Sequence, residues 1–161
     1  MIENDLSYIA GFVDGEGSIT IVISKGKYHQ PQITINNNCV DILMWIKDTL
    51  ASFGVKMSLN KSQRCNRISA RCKQATKLAS ILYPYLRVKK FQAEVLMRYE
   101  STIKPQVIVH ENGRFKGRVP LDRVELDARN ILTDSIRGAN ARYSSNVRMD
   151  YERPRIAGNQ N

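Results

Sequence analysis

The chain has 161 residues, of which 42% are hydrophobic, and 25 Lys and Arg outweigh 15 Asp and Glu to give a net charge of +10. That apolar content suffices for one packed domain, and the excess of base points to a polyanion partner, nucleic acid first. The sequence has no apolar run of about eighteen residues and no basic flank leading into an apolar N-terminal stretch, which excludes membrane spanning and secretion and leaves an intracellular chain, cytoplasmic or organellar.

Asn4 or Asp5 caps a short helix in which Leu6, Ile9, Ala10 and Val13 recur at i, i+3, i+4 and i+7. The helix closes on Asp14-Gly15-Glu16-Gly17. Residues 18–24 then alternate, with Ile19, Ile21 and Ile23 on one side and Thr20, Val22 and Ser24 on the other. Lys25-Gly26-Lys27 is a turn signal. A second alternating run sets Ile33 and Ile35 against Gln30, Gln32 and Thr34, so the two runs read as an antiparallel hairpin. Residues 41–53 form an amphipathic helix carrying Ile42, Ile46, Leu50 and Phe53, stopped by Gly54. Two short basic strands follow, over residues 56–61 and 67–73. A helix over 74–83 is broken by Pro84, and another covers 91–103. Residues 104–120 read as a loop or irregular hairpin bearing Arg114, Lys116 and Arg118. A last helix over 121–137 ends at Gly138, ahead of a frayed basic tail.

Consecutive strands are too close in sequence for parallel crossovers, so the fold class is α+β, with both hairpins in one four-stranded antiparallel sheet. Residues 1–103 make the core, and residues 104–161 add a loop, a helix and a basic tail packed on the same domain. One sheet face is apolar and covered by helices. The other carries Thr20, Val22, Ser24, Gln30, Gln32, Thr34, Lys61, Arg67 and Arg71. Donors, acceptors and positive charge on one ribbon suit base-edge readout and phosphate anchoring. Residues 56–90 strengthen the case, because they hold ten Lys and Arg and no acid.

The tip of the first helix has its own chemistry. Gly11 and Gly15 lie four apart, on one side, where missing side chains let a second copy of the helix come close. Glu16 then falls near the axis relating the two copies. An acid at a junction with a polyanion repels phosphate unless a divalent cation lies between, and Mg²⁺ accepts carboxylate, carbonyl, phosphate and water oxygens. Such an ion polarises a phosphodiester. Taken alone, Asp14 and Glu16 also fit simple helix termination. A calcium-binding EF-hand is ruled out, since Ile19 and Lys25 stand where its sixth-position glycine and closing glutamate belong. Cys39, Cys65 and Cys72 are odd in number and not spaced as metal pairs, which fits reduced intracellular thiols.

The stretch Ile9 to Gly17, within "IAGFVDGEGSI", resembles the LAGLIDADG motif of homing endonucleases, in the form carried by single-motif, homodimeric members. The element order agrees with that family's αββαββα core, and "PYLRVKKFQAEVL" is similar to the segment that delivers a basic residue to the cleaved phosphates. The resemblance covers roughly residues 5–103. It implies that Glu16 is the metal-binding acid with the Gly15 carbonyl as a further ligand, that Lys89 is the active-site lysine, and that Asp14 is structural. A polar residue ending the second strand holds the nucleophilic water in the family. Within Asn36-Asn37-Asn38 that place falls to Asn37, with Asn38 next. The implied protein is an intron-encoded, site-specific double-strand DNA endonuclease. It works as a homodimer on a long pseudo-palindromic site and uses Mg²⁺, with Mn²⁺ or Ca²⁺ able to occupy the same oxygens. Gly11 and Gly15 form its dimer contact. The alternatives are an intron-splicing maturase whose partner is its host intron RNA, and a DNA-binding protein that has lost cleavage.

Overall fold

The computed structural model describes residues 2–24, 28–62, 65–103, 107–109, 111–112, 115–118 and 122–149. Helix α1 (Ile2–Glu16) passes into strand β1 (Gly17–Ser24) with no residue between them. Only glycine permits that junction. A Cβ at Gly17 would stand 2.5 Å from the Val13 carbonyl oxygen and 2.8 Å from the Val13 Cα, both main-chain atoms that cannot move aside. Asn4 and Asp5 lie inside the helix rather than capping it, and Glu3 and Asp5 favour its positive end from the first turn.

Strand β2 (Tyr28–Asn37) pairs antiparallel with β1, and helix α2 (Val40–Ser52) follows. Gly54, at φ +70°, takes the left-handed conformation that closes this helix. Leu43 joins Ile46 and Leu50 as fully buried, while Ile42 and Phe53 pack against the core half-buried. Strands β3 (Ser58–Asn60) and β4 (Asn66–Arg71) complete a four-stranded antiparallel sheet of order β1-β2-β4-β3. β3 is shorter than the run 56–61, so Lys61 stands just past its end. Helices α3 (Lys73–Leu82) and α4 (Lys90–Ser101), a small hairpin of β5 (Val107–Val109) and β6 (Phe115–Arg118), and helix α5 (Arg123–Met149) follow.

The core lies on one side of the large sheet. Ile19, Ile21, Ile33, Ile35, Ile68 and Ala70 meet Leu6, Ile9, Ala10 and Val13 of α1 together with apolar residues of α2, α3 and α4. α5 overturns the expected stop at Gly138, for the helix runs through it to Met149. It is anchored by buried Thr133 and Ile136 and by polar contacts on both flanks. The Arg129 guanidinium donates to the Thr102 carbonyl at 2.8 Å, and Asn130 Oδ1 meets His29 Nε2 at 2.9 Å. Asn140 donates to the Ile19 carbonyl at 3.2 Å, which gives the outer edge of strand β1 a partner. These contacts hold against the ~1 kcal/mol that a mid-helix glycine costs. The turn at residues 25–27, Arg114 and the tail from residue 150 lie outside the described residues, as do the side chains of Lys116 and Arg118. No helix among the described residues is long and apolar enough to cross a membrane.

Candidate active site and nucleic-acid interface

Asp14 and Glu16 sit in the last turn of α1 and meet different surroundings. The Asp14 carboxylate is buried and accepts three main-chain hydrogen bonds from the segment leading into α4: Arg87 N–H at 2.8 Å, Val88 N–H at 3.1 Å and Lys89 N–H at 2.8 Å. A carboxylate in that place satisfies orphan donors at a helix start and complements its dipole. The Lys89 ammonium donates to the main-chain carbonyl of Asp14, at the negative end of α1. Lys89 is 7% exposed, and burial pushes its pKa below the usual lysine value, against the opposing pull of Asp14 and Glu16. The fold thus brings Lys89 beside the acid pair from far along the chain.

Glu16 is exposed. With Asp14 committed to N–H groups, one copy offers a hard cation the Glu16 carboxylate and the neighbouring Gly15 carbonyl, and the described residues hold no cluster of three or more His, Cys, Asp or Glu. That donor set fits an ion of the Mg²⁺ kind, which takes one or two carboxylates and completes its shell with substrate phosphate and water.

Gly11 and Gly15 are exposed, and a Cβ added at either would meet nothing within 4 Å among the described residues. Beside them Tyr8 is 53% exposed and packs edge-on against Trp45 at 5.7 Å between ring centroids. Nothing among the described residues covers this face of α1 at Gly11 and Gly15.

The solvent face of the large sheet follows from its register, since directly paired residues share a face. Moving away from Glu16, the rows are Asn36, Arg67 and Asn60; Ser18, Thr34, Ser69 and Ser58; Thr20, Gln32 and Arg71; Val22 and Gln30; and Ser24 and Tyr28. Thr20, Val22, Ser24, Gln30, Gln32, Thr34, Arg67 and Arg71 are therefore brought onto one surface. Lys61 is exposed beyond the end of β3. Reading by alternation alone missed Asn36, Asn60, Ser58 and Ser69, which extend the polar face. The period-two pattern of β2 already carried the signal for Asn36.

Asn37 has the opposite parity, and its Oδ1 accepts the Cys39 N–H at 2.8 Å in the turn toward α2. The Asn38 carbonyl accepts from Asn66 Nδ2 at 3.1 Å. By the Gly17–Ile35 pairing, position 36 is the one level with Glu16.

A sequence profile described as LAGLIDADG endonuclease matches residues 9–104. No curated protein matches the chain by sequence. Among solved structures, the homing endonuclease I-CvuI in complex with its target aligns with a TM-score of 0.66 at 18% identity, covering 86% of this chain and 83% of that one. I-CvuI on the I-CreI target in the presence of Mg, with the DNA not cleaved, gives 0.65 at 18% identity over the same shares of 86% and 83%. An archaeal intron-encoded homing endonuclease, I-Vdi141I, complexed with DNA, gives 0.53 at 18% identity, covering 81% of this chain and 97% of that one. At these identities the likeness is one of fold.

Proposed function

The chain belongs to the LAGLIDADG endonuclease family, and from that premise we propose that it is a site-specific homing endonuclease that cuts both strands of a long, pseudo-palindromic DNA site as a homodimer. The observation that carries this reading is the exposed Glu16, beside buried Lys89, where a face of α1 that no described residue covers adjoins the polar face of the sheet. Two copies joined along Gly11 and Gly15 bring their Glu16 carboxylates together over the duplex, one for each strand. Two-fold symmetry of the protein then demands near two-fold symmetry of the DNA.

Glu16 and the Gly15 carbonyl would hold the divalent ion, Mg²⁺ in this proposal. The chemistry such an ion supplies when bound is polarisation of the phosphodiester. Lys89, fixed on the α1 carbonyl end, places a cation where negative charge grows as the phosphorus is attacked. Asn37, the residue the resemblance assigns to the attacking water, has its side-chain oxygen committed to the Cys39 N–H and stands on the sheet face opposite Asn36, so it is Asn36 that lies level with Glu16. The sheet face sets the register on the bases, and Arg67, Arg71 and Lys61 supply positive charge.

The test is to incubate the protein with randomised duplexes in Mg²⁺ or in EDTA and to sequence the broken ends. Metal-dependent ends at a shared motif are expected, and their absence would eliminate the nuclease reading. Glu16→Gln should abolish cutting while leaving duplex affinity within about threefold, since one exposed carboxylate contributes little to a phosphate-dominated interface. Loss of cutting and binding together would make Glu16 a structural acid instead.

A further inference from the structure

On the sheet row nearest Glu16, the Arg67 Nε–H donates to Asn36 Oδ1 at 2.7 Å. Arg67 is exposed on β4, an interior strand, with Asn36 of β2 on one side and Asn60 of β3 on the other. The contact removes the side chain's usual freedom. With Nε held by Asn36, Nη1 and Nη2 are left as an end-on fork of two parallel donors.

We propose that Arg67, aimed by Asn36, is a specificity-determining residue that reads one guanine of each half-site through O6 and N7. The position of Arg67 on an interior strand favours a base over a phosphate. Strands lie about 4.8 Å apart, so a four-stranded sheet is about as wide as the ~12 Å major groove. Its interior strands then face the groove floor and its edge strands the walls. A fixed fork would match a phosphate as well as a guanine edge, so it is the place of β4 over the groove floor that favours the base. Arg71, four residues along the same strand, shows the contrast: it is exposed beside Gln32 and has no side-chain hydrogen bond among the described residues. Asn36 acts through Arg67 and is a positioning residue.

This inference rests on the DNA-binding reading above, and one selection separates the two. The wild type, Arg67→Ala, Arg67→Lys and Asn36→Ala each select from a randomised duplex pool in EDTA, so that nothing is cut, and the bound DNA is sequenced. The wild type should enrich guanine at one position per half-site by about tenfold or more. Arg67→Ala should bring that position close to even base usage and leave the remaining positions unchanged. Arg67→Lys should restore affinity for non-specific DNA without restoring the preference. Asn36→Ala should weaken the preference at the same position while non-specific affinity stays within about twofold, because the charge is unaltered. If Arg67→Ala kept the guanine and lost affinity uniformly, Arg67 would be a phosphate contact and the inference would fall alone. An undiminished preference in Asn36→Ala would remove the positioning role. A wild type that enriched no motif would overturn the DNA reading and this inference with it.

Discussion

Asp14 and Glu16 are chemically near-identical and two positions apart, yet the fold uses one to hold itself together and leaves the other in solvent. Asp14→Ala orphans the Arg87, Val88 and Lys89 N–H groups, of which the last bond is buried. Unsatisfied buried donors cost about 1–3 kcal/mol each and water will meet some of these, so a net loss of about 3 kcal/mol is expected in urea denaturation. Glu16→Gln should denature with the wild type. Equal destabilisation of both variants would contradict the division of labour. Lys89 sharpens the point, because its place against the Asp14 carbonyl depends on the same carboxylate that fixes its main chain. The candidate residues themselves were legible in the sequence, through motif resemblance. The same resemblance gave Asp14 a structural part, but the groups it holds were not legible, because they lie 73 to 75 positions further along the chain. Nor could pattern alone choose within Asn36-Asn37-Asn38, where a single step of register exchanges one face of the sheet for the other.

At the scale of elements, α1 carries two contact surfaces. Its apolar side, Leu6, Ile9, Ala10 and Val13, is buried in the chain's own core. Its small-residue side is open at Gly11 and Gly15. Gly11→Leu should therefore fit the single chain without strain and raise helix stability by roughly 0.5–1 kcal/mol, while the added side chain keeps a second α1 away. The expected product is a well-folded monomer in gel filtration or light scattering. A dimer that persisted would place the contact elsewhere. Helices and strands of the core were legible because their periodicities, 3.6 and 2, agree with where the burial falls. α5 was misread at its end for a physical reason. Gly138 has the composition of a stop, but Asn140 beyond it reaches the edge of β1, and Ile136 before it is buried. Tertiary anchorage of this kind leaves no trace in local sequence.

Over the whole molecule, the run of bases between residues 56 and 90 divides among several jobs. Arg67 and Arg71 stand on the open sheet face, Lys89 is buried at the acid pair, Lys77 donates to the Gly54 carbonyl at 3.2 Å, and Lys90 lies 4.9 Å from the Tyr83 ring centre. The sign of the run was therefore legible and its distribution was not. The overall charge of +10 still favours a polyanion. Affinity for non-specific duplex should fall at least about a hundredfold between about 50 and 200 mM salt, as for about four or more neutralised phosphates. A fall under about threefold would mean that the excess base serves something other than DNA. The missing connector between α1 and β1 has a geometric consequence for the proposed pair. With β1 starting at the residue after α1 ends and Gly17 lying directly against the Val13 turn, the recognition surface joins the helix that docks its twin with no intervening loop. The angle at which two such helices cross would then act as a gauge, fixing how many base pairs separate the sequences read by each half.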